Sequence, residues 1–522
     1  MNLNTKERYY DIIGFGDEVP GVLAMVAAAR EYRRQTKKYP KMLLMSKANA
    51  GEGIGGHLIR GKLSYLDRTQ INRQLQTSLN LDTFGAPSAL YQEFLKRAGV
   101  VQIALDPEKG DRALREMLRE AGVAILSEVK IASVVKSGSN LTSILTSRGE
   151  TYTAKQFIDS TVNAELAQAA GAKKSQGFGT FGLPDSELPV TLVFETEGLS
   201  IQRLKEIELI YLKRFRNLAD TEAQNFLKSA AGFDERKAES LRQELVDSHG
   251  NLKTLWAGKD YIDIRCNALS IAYHSFRGKK LSLYDSGAIL DRGNVAILSG
   301  DRLSWNALMI AVTGSEAETL ANNGGKPTPA MLEEMKFVQQ WFKSIGAKKV
   351  TPASELYIRH AGNITEAIEP LSGAEMLAGG VAKSEALATF AYHFDVRGGI
   401  PGIGDKALAN GFVSTMFSKP IFNVGIRHAQ LKSVRNLAVV SPASGFEGFA
   451  SAAGRIVEYN AAVGHGLGIA ATLALLSNRT LADISNQEVR EVLVKVGELP
   501  PIFGKNSAPD LAQLQQFESA IA

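Results

Sequence analysis

Three side chains in the second half of the chain could move a proton or hold an anion. Tyr357 and Arg359 sit two residues apart in Ser354-Glu-Leu-Tyr-Ile-Arg359, and His393 lies in Tyr392-His-Phe-Asp395. An arginine can grip an anionic substrate group with two parallel hydrogen bonds, and an imidazole can carry the proton that accompanies a redox step. Each also has a plainer reading, Arg359 as a structural ion pair and His393 as a packed histidine with its bonds satisfied. The seven histidines are scattered, without the one-turn pairing of metal ligands, so no metal site is expected. His57 closes the loop Gly51-Glu-Gly-Ile-Gly55-Gly56-His57, whose glycines allow backbone to come close to a ligand.

Such groups need a scaffold that delivers a ligand, and the opening of the chain supplies one. Tyr10-Asp-Ile-Ile-Gly14-Phe-Gly16-Asp-Glu-Val-Pro-Gly21 is a short apolar strand, a glycine turn and the start of a helix with small residues at Ala24, Ala27, Ala28 and Ala29. Glycines let the backbone approach a pyrophosphate, and free N–H groups at the positive end of the helix receive it. The spacing departs from the usual fingerprint: its third glycine would fall at Val19, and Gly21 comes two residues later. Asp17 and Glu18 bring negative charge beside the expected phosphates. Acids in a first helical turn also stabilise the helix dipole, by about 0.3–1 kcal/mol.

Residues 10–14, 20–37 and 41–46 read as strand, helix and strand, the unit that a parallel sheet requires. A helix over 111–121 and a short strand over 123–126 follow. Strands at 128–135, 141–147 and 150–154, separated by Ser137-Gly-Ser139 and Arg148-Gly149, make a small antiparallel meander. A buried strand is expected at 157–161. A second lobe opens with a strand at 188–195 and carries a charged helical insertion near 201–250, helices at 315–322 and 329–345, and a strand at 356–364. After Gly398-Gly-Ile-Pro-Gly402 the chain returns through a strand at 436–440 to one Gly/Ala-rich helix over 450–476.

The length of 522 residues requires more than one lobe. A formal charge of +5, with basic residues dispersed, gives no sign of a nucleic-acid partner. The single cysteine, Cys266, excludes an intrachain disulfide and suits a cytoplasmic setting. Met1 to Arg8 is polar, unlike a secretory signal, and the apolar run 464–476 is too short to span a bilayer and contains His465.

Four segments together resemble the FAD-dependent oxidoreductase family of two-dinucleotide-binding-domain flavoproteins, distant relatives of the fumarate reductase and glutathione reductase groups. They are the opening strand–glycine–helix unit, Phe157-Ile-Asp-Ser-Thr161-Val-Asn163, Ser354 to Arg359, and Arg455-Ile-Val-Glu-Tyr-Asn-Ala-Ala-Val-Gly464-His-Gly-Leu-Gly468. The resemblance implies an α/β fold: a Rossmann-like FAD-binding domain, with a parallel sheet and a small antiparallel meander, and an inserted α+β substrate domain. The FAD-binding domain would comprise 1–187 and 400–480, the substrate domain 188–399, and a helical extension 481–522. FAD would be held by Gly14, Gly16, Gly21, Ser46, Lys47, Gly55, Gly56, Val129, Thr161, Ser451 and Ala452, with the helix start around Ser451 aimed at the flavin pyrimidine. Tyr357, Arg359 and His393 would serve the substrate.

The implied function is hydride transfer between a small organic substrate and flavin N5. No second glycine fingerprint for a nicotinamide is present, leaving oxygen, a quinone, a protein carrier or a second substrate as electron partner. Several positions depart from the family pattern. The acid that would accept the adenosine ribose hydroxyls is replaced by Ser46-Lys47, and Thr-Gly-Asp by Thr161-Val162-Asn163. Lys47 could instead meet a ribose 2′-phosphate, and His57 could act as an acid/base or a covalent flavin tether. A second reading of another class is a scaffold that has lost redox function and binds a ligand or partner.

Overall fold

The computed structural model describes residues 8–506 and 508–522, so the polar lead read over Met1 to Arg8 lies outside it except for Arg8. The first sheet contains β1 (Arg8–Phe15), β2 (Met42–Met45), β3 (Ala124–Leu126), β4 (Ile131–Ser137), β5 (Asn140–Thr146) and β6 (Thr151–Asp159), in the order β3-β2-β1-β6-β5-β4. β3, β2, β1 and β6 are parallel neighbours, and β4, β5 and β6 form the antiparallel meander. Their inward side chains read as nearly continuous apolar runs, as expected of strands covered on both faces.

Two expected strands prove to be one. The separate strands at 150–154 and 157–161 are the continuous β6, whose first half pairs with β5 (Ser143 opposite Thr153) and whose second half pairs with Leu437–Val439 on the same edge. The strand count was too high because the polar step Ala154-Lys-Gln156 looks like a break, whereas Gln156 is buried and bonds to the main chain of Arg479 and Leu481.

A second, wholly antiparallel sheet runs β12-β7-β11-β10-β9-β8, from β7 (Val190–Glu197), β8 (Trp256–Ala257), β9 (Tyr261–Asp263), β10 (Ala288–Leu298), β11 (Arg302–Ile310) and β12 (Lys349–Pro352). The charged insertion forms three helices, Ile201–Arg216, Thr221–Ala230 and Glu235–Gln243, each capped by an Asp or Ser accepting from the first turn. No strand forms at 356–364. β12 pairs with β7 at Phe194–Glu197, and the segment makes only isolated bridges, Tyr357 with Thr191 and Ile364 with Lys174. Gly362, at φ +80°, then turns the chain onto Ser175, whose carbonyl would lie 1.9 Å from any Cβ there.

The long Gly/Ala helix is broken into Ala450–Gly454 and Val457–Ser477, because Arg455 is drawn into an ion pair and Ile456 is extended (φ −73°, ψ 136°). The second of these helices is long and apolar enough to cross a membrane, but 78% of that stretch is buried inside the fold. It packs directly on the first helix, Val19–Thr36. A Cβ at Gly464 would meet Pro20 O at 2.3 Å, and one at Gly468 would meet Ala24 O at 2.2 Å.

Candidate functional site

Gly16 ends β1, donates its N–H to Met45 O and holds φ +95°. Both later glycines of the turn are filled from within. A Cβ on Gly16 would lie 2.7 Å from the backbone of Ser160 and Thr161, and one on Gly21 would lie 2.1 Å from Ser160 Oγ. Ser160 follows β6 directly, so the glycines make room for the neighbouring strand end. The Ser160 hydroxyl is buried there without a hydrogen-bond partner among the described residues.

Around the turn the chain places its own charges. The Arg60 guanidinium, 6% exposed, meets both oxygens of Asp17, Glu355 Oε1 at 2.7 Å and Gly53 O at 2.7 Å. Burial opposes its charge, but Asp17 and Glu355 hold it protonated; burial in turn raises the Glu355 carboxyl above its ordinary range. Asp17 also accepts from Ser46 Oγ at 3.2 Å and from the Gly55 N–H at 3.4 Å. Glu18 pairs with His57 Nδ1 at 2.6 Å and accepts the His57 N–H. Lys47 is engaged by Glu165 and donates to Asn322 O at 2.8 Å. Asn163 Nδ2 bonds Glu318 and Asn322, so both lobes meet where the ribose was expected.

A cavity of about 90 Å³ remains among Gly16, Lys47, His57, Ser160, Asn163 and Gly325. Sites that enclose a drug-sized ligand run to about 300–1,000 Å³. With three carboxylates at the turn and the glycine space taken by Ser160, FAD does not fit the turn as folded. The other expected cofactor residues are likewise packed against the chain itself. Gly14 lies against Met25 and Leu44, Gly55 against Ile59 and Leu114, and Gly56 against Glu18. Val129 and Ala452 are buried, Thr161 Oγ1 bonds Asp159, and Ser451 Oγ donates to Asn363.

The substrate candidates separate. Arg359 is buried over the Tyr357 ring, donates to Pro189 O at 2.6 Å, and lines neither the turn cavity nor the cleft described next; burial lowers its pKa to about 10. Its role is to fasten β7 to the crossing segment. Tyr357 stacks on His57 at 5.0 Å and accepts a hydrogen bond from Arg455 at 2.6 Å. Arg455 continues to Asp395 at 2.6 Å, and Asp395 faces a cleft that His393 also lines.

This cleft, about 420 Å³, lies on the seam between the first lobe and the antiparallel sheet, among Tyr65, Asp67, Tyr261, Tyr392, Asp395 and Arg397. Asp263 also lines it, and two of its three carboxyls are shifted in opposite directions. Burial, reinforced by Asp395, pushes Asp67 up, whereas Arg455 and Arg397 overcome burial and hold Asp395 low. Arg397 is anchored on Asp291 at 2.8 Å. Sequence reasoning named His393 but missed Asp67, Arg397 and Arg60. The signal available was Tyr65-Leu-Asp67-Arg68, ionisable residues soon after the glycine loop; its partner lies over 300 residues away and no local pattern marks it.

The profile of one family, FAD dependent oxidoreductase, matches residues 21–493, beginning at the last glycine of the turn. Among curated proteins nothing matches. Solved structures similar to this chain include a myxobacterial chondrochloren halogenase, CndH (10% identity, 93% of this chain and 78% of that one, TM-score 0.37). Two others are pqsL, a probable FAD-dependent monooxygenase from Pseudomonas aeruginosa (11%, 98% and 99%, 0.35), and an L-proline dehydrogenase from P. horikoshii (10%, 94% and 100%, 0.36).

Proposed function

The chain belongs to the FAD dependent oxidoreductase family, whose cofactor is FAD, and on that premise we propose that it oxidises or reduces a small organic substrate in the seam cleft. The observation that carries this reading is the pair Asp67 and Asp395, two carboxyls in one cleft whose pKa values are driven in opposite directions. Such a split assigns acid/base roles. Asp67 gives or takes the proton that accompanies electron transfer. Asp395 stays ionised and, through Arg455, holds Tyr357 in place. Arg397 presents a fixed positive charge that selects a substrate carrying an anionic or strongly polar group.

The reaction class of this proposal is hydride transfer between the substrate and the flavin that FAD would supply once bound. The test is anaerobic: small hydroxy acids, amino acids and amines are mixed with protein and added FAD, and flavin bleaching is followed in the wild type and in Asp67→Asn. A compound that bleaches flavin with the wild type, at least tenfold more slowly with Asp67→Asn, and with an altered pH profile, is the expected result. Bleaching indifferent to Asp67 and Asp395 would remove the cleft from the reaction.

A further inference from the structure

The charge cluster at the glycine turn has the make-up of a filled anion site. Asp17 takes two guanidinium contacts from Arg60, a hydroxyl from Ser46 and the Gly55 N–H, a set of donors that also suits a phosphate group. It does so at the start of an 18-residue helix, where an anion from outside would otherwise be drawn. Two buried polar atoms of the same cavity, Ser160 Oγ and His57 Nε2, have no hydrogen-bond partner among the described residues, and Ser160 Oγ is wedged between Gly16 and Gly21. Pro20 removes one of the helix's free N–H groups. A pyrophosphate entering here would meet Asp17, Glu18 and Glu355 before it met a free cation, since Arg60 and Lys47 are both paired.

We propose that Asp17 occupies the pyrophosphate site from within and competes with FAD for it, so that the flavin is a weakly held, exchangeable partner and not a fixed prosthetic group. The inference rests on the FAD reading above. It concerns affinity: binding requires a state in which Arg60 has left Asp17, and apparent affinity falls by the fraction of molecules in that state. Once released, Arg60 is the cation that receives the phosphates, and the Ser160 hydroxyl gains a partner.

The test compares wild type with Asp17→Gly and Asp17→Ser. FAD binding is followed by flavin fluorescence, and ADP and adenosine binding by calorimetry. The expected result is a wild type that loses flavin on gel filtration, and variants that bind both FAD and ADP at least tenfold more tightly, with adenosine unchanged. Stoichiometric flavin retained by the wild type would overturn the inference and leave the oxidoreductase reading standing. Folded variants that bind ADP no more tightly would also overturn it. Absence of FAD binding by every protein at saturating flavin would bring down the FAD reading together with the inference. Should both variants fail to fold, retention by the wild type alone decides.

Discussion

Asp395 is the residue on which the cleft's electrostatics turn, because it is the carboxylate that balances the buried Arg455. Removing one member of a buried ion pair leaves the other charge unpaired, at a cost of about 3–5 kcal/mol. Asp395→Asn is expected to lower stability by that amount in urea titrations, and a loss within experimental error would contradict the assigned pairing. Asp67 behaves in the opposite sense. Its carboxyl is raised by burial, so the folded state holds the proton more tightly than the unfolded chain. The stability it contributes is present below the ordinary carboxylate range and is lost as pH rises through its folded pKa. Asp67→Asn should therefore flatten the pH dependence of unfolding on that limb, while an unchanged slope would show that Asp67 is not held protonated. Neither residue stood out in the sequence, because each acquires its character from partners far along the chain. Gly16 and Gly21 stood out for a reason that the fold only partly supports. A glycine forced by Ser160 looks, in sequence, like a glycine reserved for phosphate.

At the scale of elements, the contact between the first helix and Val457–Ser477 is the closest helix pairing in the sheet's covering layer. Small residues at Gly464 and Gly468 allow it, and a larger side chain must push backbone away from backbone. Gly468→Val is expected to destabilise the protein by about 1–3 kcal/mol or more in denaturant, as overpacked cores do. Gly404→Ala, with nothing within 4 Å of the added Cβ, serves as the control and should be neutral or slightly stabilising. Equal effects would refute close packing as the reason for these glycines. Elements with a strong local signature were legible: the first helix, the meander, and the helices at 314–322 and 329–344 lie within a few residues of where periodicity and caps place them. The misread ones depend on tertiary context. The strand expected at 356–364 has a suitable apolar pattern but meets β7 only at Thr191 before Gly362 turns the chain away, and the break at Arg455–Ile456 lies where Arg455 pairs with Asp395 from another segment.

For the whole molecule, the last helix ties the chain end to the body. Glu518 accepts the N–H groups of Gly373, Ala374 and Phe449, and burial, with Glu375 nearby, raises its pKa to about 7. Asp159, at about 6, and Glu208, at about 7, are raised by burial in the same direction. For all three, protonation favours the folded state, so the contribution is full below the unfolded carboxylate range and disappears as pH climbs past about 6 to 7. Glu518→Gln should gain stability relative to wild type by on the order of 1–3 kcal/mol on going from about pH 5 to about pH 8. A relative stability independent of pH would contradict a protonated Glu518. The family and its α/β scaffold were visible in the sequence from dispersed segments, whereas the state of the cofactor turn was not. Its occupation depends on Arg60, Glu355 and Ser160 converging on Asp17 from separate parts of the chain. The measurement that tests this most directly is a crystal structure grown with excess FAD. Pyrophosphate at the turn with Arg60 turned away from Asp17 is the predicted result. Pyrophosphate seated beside an unbroken Asp17–Arg60–Glu355 cluster would contradict the account.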